Sequence, residues 1–218
     1  MKPYVILSAA MTLDGKIATE TGSSEISNQK DLIRVHKLRR EVDAIMVGIG
    51  TVLKDNPKLT AHKVSDKKED NPIRIIIDST AKTPLNSKVL NNQAKTIIAT
   101  NKNAKTEKIE KKAEIYKTNS TDKVDLKELL NYLGNIGIKT IMLEGGSTLN
   151  YSLFKENLID EIQLCIAPLI VGGVNAKTLV DGEGIKEMKN AIKLEFKDSY
   201  FIEEDLILTY NVLNTVNP

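Results

Sequence analysis

A chain of 218 residues with 41% hydrophobic and 28% charged side chains can build one substantial core and has the composition of an ordinary globular domain. Lys and Arg number 31 against 29 Asp and Glu, and the net charge of +2 gives no electrostatic footprint for nucleic acid or an anionic membrane. One cysteine excludes an intrachain disulfide, and one cysteine with two histidines excludes a structural zinc site. No stretch approaches the ~18 apolar residues of a membrane span, and the N-terminal residues lack a secretory-signal pattern. A cytoplasmic protein with neither nucleic-acid nor membrane partners is expected.

Taken in chain order, Tyr4–Ala10 reads as a strand that breaks into the loop Met11-Thr12-Leu13-Asp14-Gly15-Lys16. That loop is either a fourth polar strand end or a plain Asp-Gly turn. Ser27 is placed to cap a helix from Asn28 to Glu41, in which Leu32, Val35, Leu38 and Val42 recur at helical spacing. Apolar runs predict further strands at Ala44–Ile49, Ile73–Asp78, Thr96–Thr100, Lys139–Leu143 and Glu161–Pro168. Asp125 with Glu128 makes a capping-box start for a helix over Leu126–Leu133, and Gly137 ends that segment. The stretches Lys63–Asn71 and Asn101–Lys117 mix both signs of charge and read as solvated loop or helix surface. Cys165, in an apolar run, reads as a buried packing residue. His36, beside core positions of the first helix, reads as a surface or packing residue. Alternation in Ala191–Lys197 and Phe201–Val212 predicts an antiparallel hairpin turning around Lys197-Asp198-Ser199. The sum is a single α/β domain over residues 1–218, with a mixed, mostly parallel central sheet flanked by helices.

Chemistry is expected where strands end in glycines and polar side chains, because ligands of open α/β sheets gather at the carboxyl ends of strands. Gly48-Ile49-Gly50-Thr51 has two glycines of a dinucleotide fingerprint, with Leu53 where the third would fall. Thr51 and Asp55, four apart, share one face of a helical turn that Pro57 stops, which suits either a binding edge or a capped turn with a solvated Asp. A second end is Ile77-Asp78-Ser79. The third is Leu143-Glu144-Gly145-Gly146-Ser147-Thr148, a carboxylate followed by glycines and hydroxyls that open an amphipathic helix. Unpaired N–H groups at such a helix start favour phosphate, although a Ser/Thr-capped turn has the same appearance.

Four ordered motifs resemble the riboflavin-pathway pyrimidine reductases: Met11–Ala18, Val47–Thr60, Leu143–Ser147 and Ala167–Gly173. The resemblance implies a dihydrofolate-reductase-like fold, a homodimer, NADPH as cofactor and a ribosylaminopyrimidine 5′-phosphate as substrate. Hydride would pass to C1′ of the ribose, giving a ribitylamino product. It further implies NADPH contacts from Thr51, Asp55, Asp78, Ser79, Gly145, Gly146, Ser147 and Thr148, with Val124 as a weaker match. Glu144 matches the carboxylate near the reacting ribose, and Ser24 a substrate-contacting serine. Ser8 stands where bacterial relatives carry a substrate-facing lysine. Arg34 is out of register with the family's substrate arginine, and Arg39 matches a different one. Arg34, His62 and Lys63 therefore remain contenders for the substrate phosphate. The Pro-Cys-x-x-Cys of the deaminase fused to bacterial relatives is missing, so the chain resembles the stand-alone archaeal and fungal type, whose substrate is the diamino pyrimidine. The alternatives are the deaminated pyrimidine, a pterin substrate with Asp31 as its acidic contact, or a non-catalytic nucleotide-binding module.

Overall fold

The computed structural model describes residues 1–213. In chain order the elements are β1 (Tyr4–Thr12), α1 (Gln29–Glu41), β2 (Ala44–Gly48), α2 (Ile49–Asp55), β3 (Ile73–Ile77), β4 (Thr96–Thr100), β5 (Glu114–Lys117), α3 (Leu126–Asn135), β6 (Thr140–Leu143), α4 (Ser147–Lys155), β7 (Glu161–Ala167), β8 (Lys193–Ile202) and β9 (Asp205–Leu213). The chain forms two compact units, the first of Met1–Tyr4 and His36–Glu144, the second of Val5–Val35 and the residues from Gly145 onward.

In the first unit five strands pair in the order β5-β4-β3-β2-β6, every pair parallel. Ile45, Met46, Val47, Ile75, Ile76, Ile97, Ile98, Ile141 and Met142 are all fully buried. Consecutive buried residues on both faces are what parallel sheets require, because their crossovers cover both sides. α3 buries Leu126, Leu129, Leu130 and Leu133, a single stripe at helical spacing. Its start is the predicted one, with the Asp125 carboxylate accepting from the Glu128 N–H at 2.9 Å. The box is not reciprocated. Glu128 instead accepts from the Asn119 N–H, and the Asp125 N–H donates to Thr118 Oγ1.

The second unit pairs β1 with β7 in parallel, β7 with β9 antiparallel and β9 with β8 antiparallel. The expected mostly parallel sheet with a C-terminal antiparallel hairpin is thus present, and the six strands predicted ahead of the hairpin begin and end within two residues of the observed ones.

Three local expectations are corrected. α1 is capped by Asn28, not Ser27, since Asn28 Oδ1 accepts from the N–H groups of Lys30 and Asp31. β5 lies inside the stretch read as loop or helix surface; it is a four-residue edge strand, Glu-Ile-Tyr-Lys, too short and too charged to show a strand period. The hairpin does not turn at Lys197–Ser199. β8 runs through that point with a bulge between Phe196 and Asp198, and the turn is Glu203-Glu204, with Glu203 at φ 57°.

The largest fully buried side chain is Arg74 on β3. Its Nη1 donates to the Val89 and Asn91 carbonyls and its Nη2 to Asn91 Oδ1, all neutral acceptors, and burial pushes its pKa down to about 10. The guanidinium fixes the turn before β4 from inside. Arg74→Leu leaves those acceptors unpaired and is expected to cost about 3 kcal/mol in urea unfolding followed by circular dichroism. A loss below about 1 kcal/mol would show that the turn holds without it.

Candidate active site

The polar residues of the first unit collect at the carboxyl ends of its strands. Gly48 ends β2 and caps α2 through its backbone, without a side-chain cap bond among the described residues. Thr51 is half-buried on α2 and Asp55 exposed at its end. α2 stops one residue ahead of Pro57, because Asn56 takes a left-handed conformation, φ 42°, and donates its N–H to the Val52 carbonyl.

At the end of β3 the two predicted side chains do different work. Asp78 is fully buried, and its Oδ2 accepts from both the N–H and the hydroxyl of Thr83 at 2.7 Å. It closes a turn on itself, while Oδ1 has no partner among the described residues. Ser79 reaches outward, its Oγ accepting from the Val124 N–H at 3.1 Å, so the structure brings those two predicted residues together. Asn101, which the sequence reading missed, sits beside them at the end of β4. It donates its N–H to the Ser79 carbonyl and its Nδ2 to that of Asp122. An Asn directly after an apolar strand was the available signal.

Glu144 closes β6. Its N–H donates to the Met46 carbonyl, and its two carboxylate oxygens accept from Nε and Nη2 of Arg39 on α1 at 2.7 and 2.9 Å. Arg39 Nη1 also donates to the Thr60 carbonyl at 3.2 Å and lies 3.3 Å from His36 Nε2. His36 is 4% exposed, more enclosed than a surface residue. Its Nδ1 accepts from the Lys63 N–H, and its ring meets His62 edge-on at 4.6 Å. His62 in turn shares a 2.8 Å hydrogen bond with the Thr60 hydroxyl. Burial, then the Arg39 cation and His62, push the His36 pKa down to about 4. Burial and the cations Lys58, Arg39 and Lys63 lower that of His62. His62 also lines an open polar cleft with Ser65, Lys68, Asn71 and Gln93.

In the second unit Gly145 adopts φ 85°, a conformation open to glycine, and is joined to Gly146 by a cis peptide bond. Gly146 caps α4 through its backbone, so the hydroxyl-capped reading of this turn is replaced: Ser147 and Thr148 are the first helical residues. The Ser147 hydroxyl is bonded to Asp181, whose carboxylate also accepts from Thr178 Oγ1 at 2.5 Å. Asn150, 1% exposed, lies under Gly145 and donates Nδ2 to the Leu179 carbonyl. Thr148 and Ser24 are exposed.

Ser8 on β1 is 4% exposed, its hydroxyl has no partner among the described residues, and it stands beside Gln163 in the parallel register with β7. Arg34 donates Nε to Asp31 at 2.7 Å and Nη1 to Gln163 at 3.4 Å; its buried Nη2 has no partner among the described residues. Gln163 was also missed, because a lone polar residue in an apolar strand carries no signal of its own. Cys165 is fully buried with its thiol pushed up by burial, as a packing residue should be.

The Asp14 loop is structural. Its carboxylate accepts from the Thr12 hydroxyl and from the N–H groups of Val171 and Gly172, which hold it down at about 2, so it clasps the loop after β7 across ordinary pH. In that loop Leu169, Ile170 and Val171 are 44, 71 and 38% exposed and so lie outside the core. Among the described residues no cluster suits a metal ion, and no helix is long and apolar enough to cross a membrane.

A mostly parallel sheet with a C-terminal antiparallel hairpin makes this an α/β protein. The chain belongs to the RibD C-terminal domain family, whose model matches residues 3–208. It is 58% identical over 215 residues to the 2,5-diamino-6-ribosylamino-4(3H)-pyrimidinone 5′-phosphate reductase of Methanothermobacter thermautotrophicus, covering 97% of this chain and 99% of that protein. It is 40% identical over 205 residues to the reductase of the same name from Archaeoglobus fulgidus, covering 89% and 94%. Among solved structures, Acinetobacter baumannii RibD superposes with a TM-score of 0.84 at 25% identity, over 97% of this chain and 58% of that one.

The neutral histidine beside Arg39 has a thermodynamic signature. A folded pKa near 4 against about 6.5 unfolded means that its contribution is complete above pH 6.5 and is lost as pH falls toward 4. Unfolding free energy should fall across that window by up to about 1.4 kcal/mol per pH unit, and His36→Gln should flatten the slope. Parallel pH profiles for the two proteins would exclude a buried neutral His36.

Proposed function

We propose that this chain is a 2,5-diamino-6-ribosylamino-4(3H)-pyrimidinone 5′-phosphate reductase that uses NADPH in riboflavin biosynthesis. The observation that carries this reading is 58% identity to a reductase of that name along almost the whole of both chains. NADPH supplies the hydride, and it reduces C1′ of the opened ribose.

The donor set suits a dinucleotide phosphate. The first N–H groups of α4 have no intrahelical partner, and Gly145 and Gly146 put no side chain in front of them. Ser147, Thr148, Thr51, Asp55, Ser79 and Val124 are assigned as the other contacts. Asp78, enclosed by its Thr83 turn, is assigned to shaping the loop that carries Ser79.

For the substrate, Glu144 accepts hydrogen bonds from ribose hydroxyls while Arg39 holds it in place. Arg34 is already neutralised by Asp31, which argues against phosphate as its ligand. With Ser8 and Gln163 it presents hydrogen-bonding groups suited to a pyrimidine edge. His62 and Lys63, amid the cations Lys58 and Arg39, suit the 5′-phosphate better. Ser24 is assigned to the substrate from the family match alone.

A homodimer is part of the proposal, and the hairpin supports it. The bulge at Lys197 shifts the phase of β8, so that Leu194, Phe196 and Phe201 fall opposite Val212, Tyr210 and Leu206 on one face. Leu194, Phe196 and Phe201 are 43, 58 and 70% exposed. An apolar face of this kind on an edge hairpin calls for a partner, and a second copy supplies it symmetrically.

The decisive assay follows nicotinamide absorbance with the diamino pyrimidine, its deaminated analogue and dihydrofolate in parallel. Turnover with the diamino compound is expected to exceed the others, and none with either pyrimidine would end this reading. Glu144→Gln should lower kcat by about 10²–10³-fold while leaving NADPH affinity within about twofold; equal loss of both would move Glu144 to the cofactor. Phe201→Lys should convert a dimer to a monomer in sedimentation, whereas an unchanged dimer would place the interface elsewhere.

A further inference from the structure

The Glu144 carboxylate stands at a strand end with both oxygens occupied by a single partner. We infer that Arg39 is a positioning residue for Glu144, itself set in place by the Thr60 carbonyl and His36; this rests on the proposed role of Glu144 in the reaction. A guanidinium fork against a carboxylate fixes the plane of both groups, which a point charge does not. The two bonds at 2.7 and 2.9 Å are short and nearly equal, as a symmetric fork requires. Each carboxylate oxygen keeps a lone pair for a substrate hydroxyl, so the clamp orients Glu144 without using it up.

The fork is itself held from behind. Arg39 Nη1, the nitrogen that does not face Glu144, lies against the Thr60 carbonyl and His36. Both ring nitrogens of His36 face N–H groups, one from Arg39 and one from the Lys63 backbone. A protonated ring would set donors against donors on both sides, whereas a neutral ring accepts at one nitrogen and keeps its proton on the other, so only the neutral form can satisfy either donor. His36 therefore confines the guanidinium without adding a competing charge beside Glu144. Both Arg39 and Glu144 side chains are 14% exposed, enough to reach a ligand and too little for water to weaken the pair strongly.

A double-mutant cycle tests the coupling. Arg39→Gln is expected to lower kcat about 10–100-fold in the otherwise unchanged protein, with NADPH affinity within about twofold, but to cost less than about twofold in the Glu144→Gln background. Arg39→Lys, which keeps the charge and loses the fork, should recover only part of the loss; it replaces Arg39→Gln in the cycle if circular dichroism shows that variant unfolded. Equal losses in both backgrounds would overturn the inference, since Arg39 would then act on ligand or fold independently. Glu144→Gln with unimpaired turnover would instead reject the role of Glu144, a result separate from the cycle.

Discussion

An ion pair between Arg39 and Glu144 organises the polar end of the first unit. Removing either partner would leave the other charge in a site mostly closed to water, the costly case for a buried pair. The helix that carries Arg39 and the strand that ends in Glu144 are thereby tied through side chains at the point where chemistry is expected. The neighbours conform to the pair. Thr60 turns its carbonyl toward the guanidinium, His36 stays neutral beside it, and His62 is drawn in by ring contact and the Thr60 hydroxyl.

The parallel sheet explains why polar residues are found there at all. Its strands are largely apolar on both faces, so a polar side chain within them needs buried partners, as Arg74 has, and the others gather past the strand ends, where loops can satisfy them. The ends then divide the work. Asp78 spends its carboxylate on its own turn, Ser79 joins the start of α3, and Glu144 takes a cation from α1. Asp14, at the end of β1, takes backbone N–H groups of another loop.

Long apolar runs were legible in the sequence, because burial on both faces leaves no other way to write a parallel strand. β4 was readable to the residue, and so was the cap of α3 at Asp125. β5 was not, since an edge strand of four residues with charges at both ends looks like its surroundings. The hairpin was recognised, but its turn was misplaced: a bulge changes the phase of alternation just as a turn does, and Lys-Asp-Ser is ordinary turn chemistry. At the site, sequence could point to Glu144, Ser79 and His62, each next to a strand end or a motif. It could not assign Arg39, His36 or Gln163 their tasks. Those depend on side chains that meet across many residues of separation, and each residue alone looks like ordinary surface or core.

The bulge at Lys197 reconciles an odd spacing with a single face. Phe196 and Phe201 are five residues apart and would fall on opposite faces of a regular strand; the one unpaired residue between them brings both to the same side. Deleting Lys197 would remove the bulge and leave both halves of β8 in register with β9, Phe196 still opposite Tyr210 and Phe201 still opposite Leu206. An insertion at the same point has no such outlet, because it adds a second unpaired residue to a strand that already carries one. Chain length in this strand is therefore forgiving in one direction only.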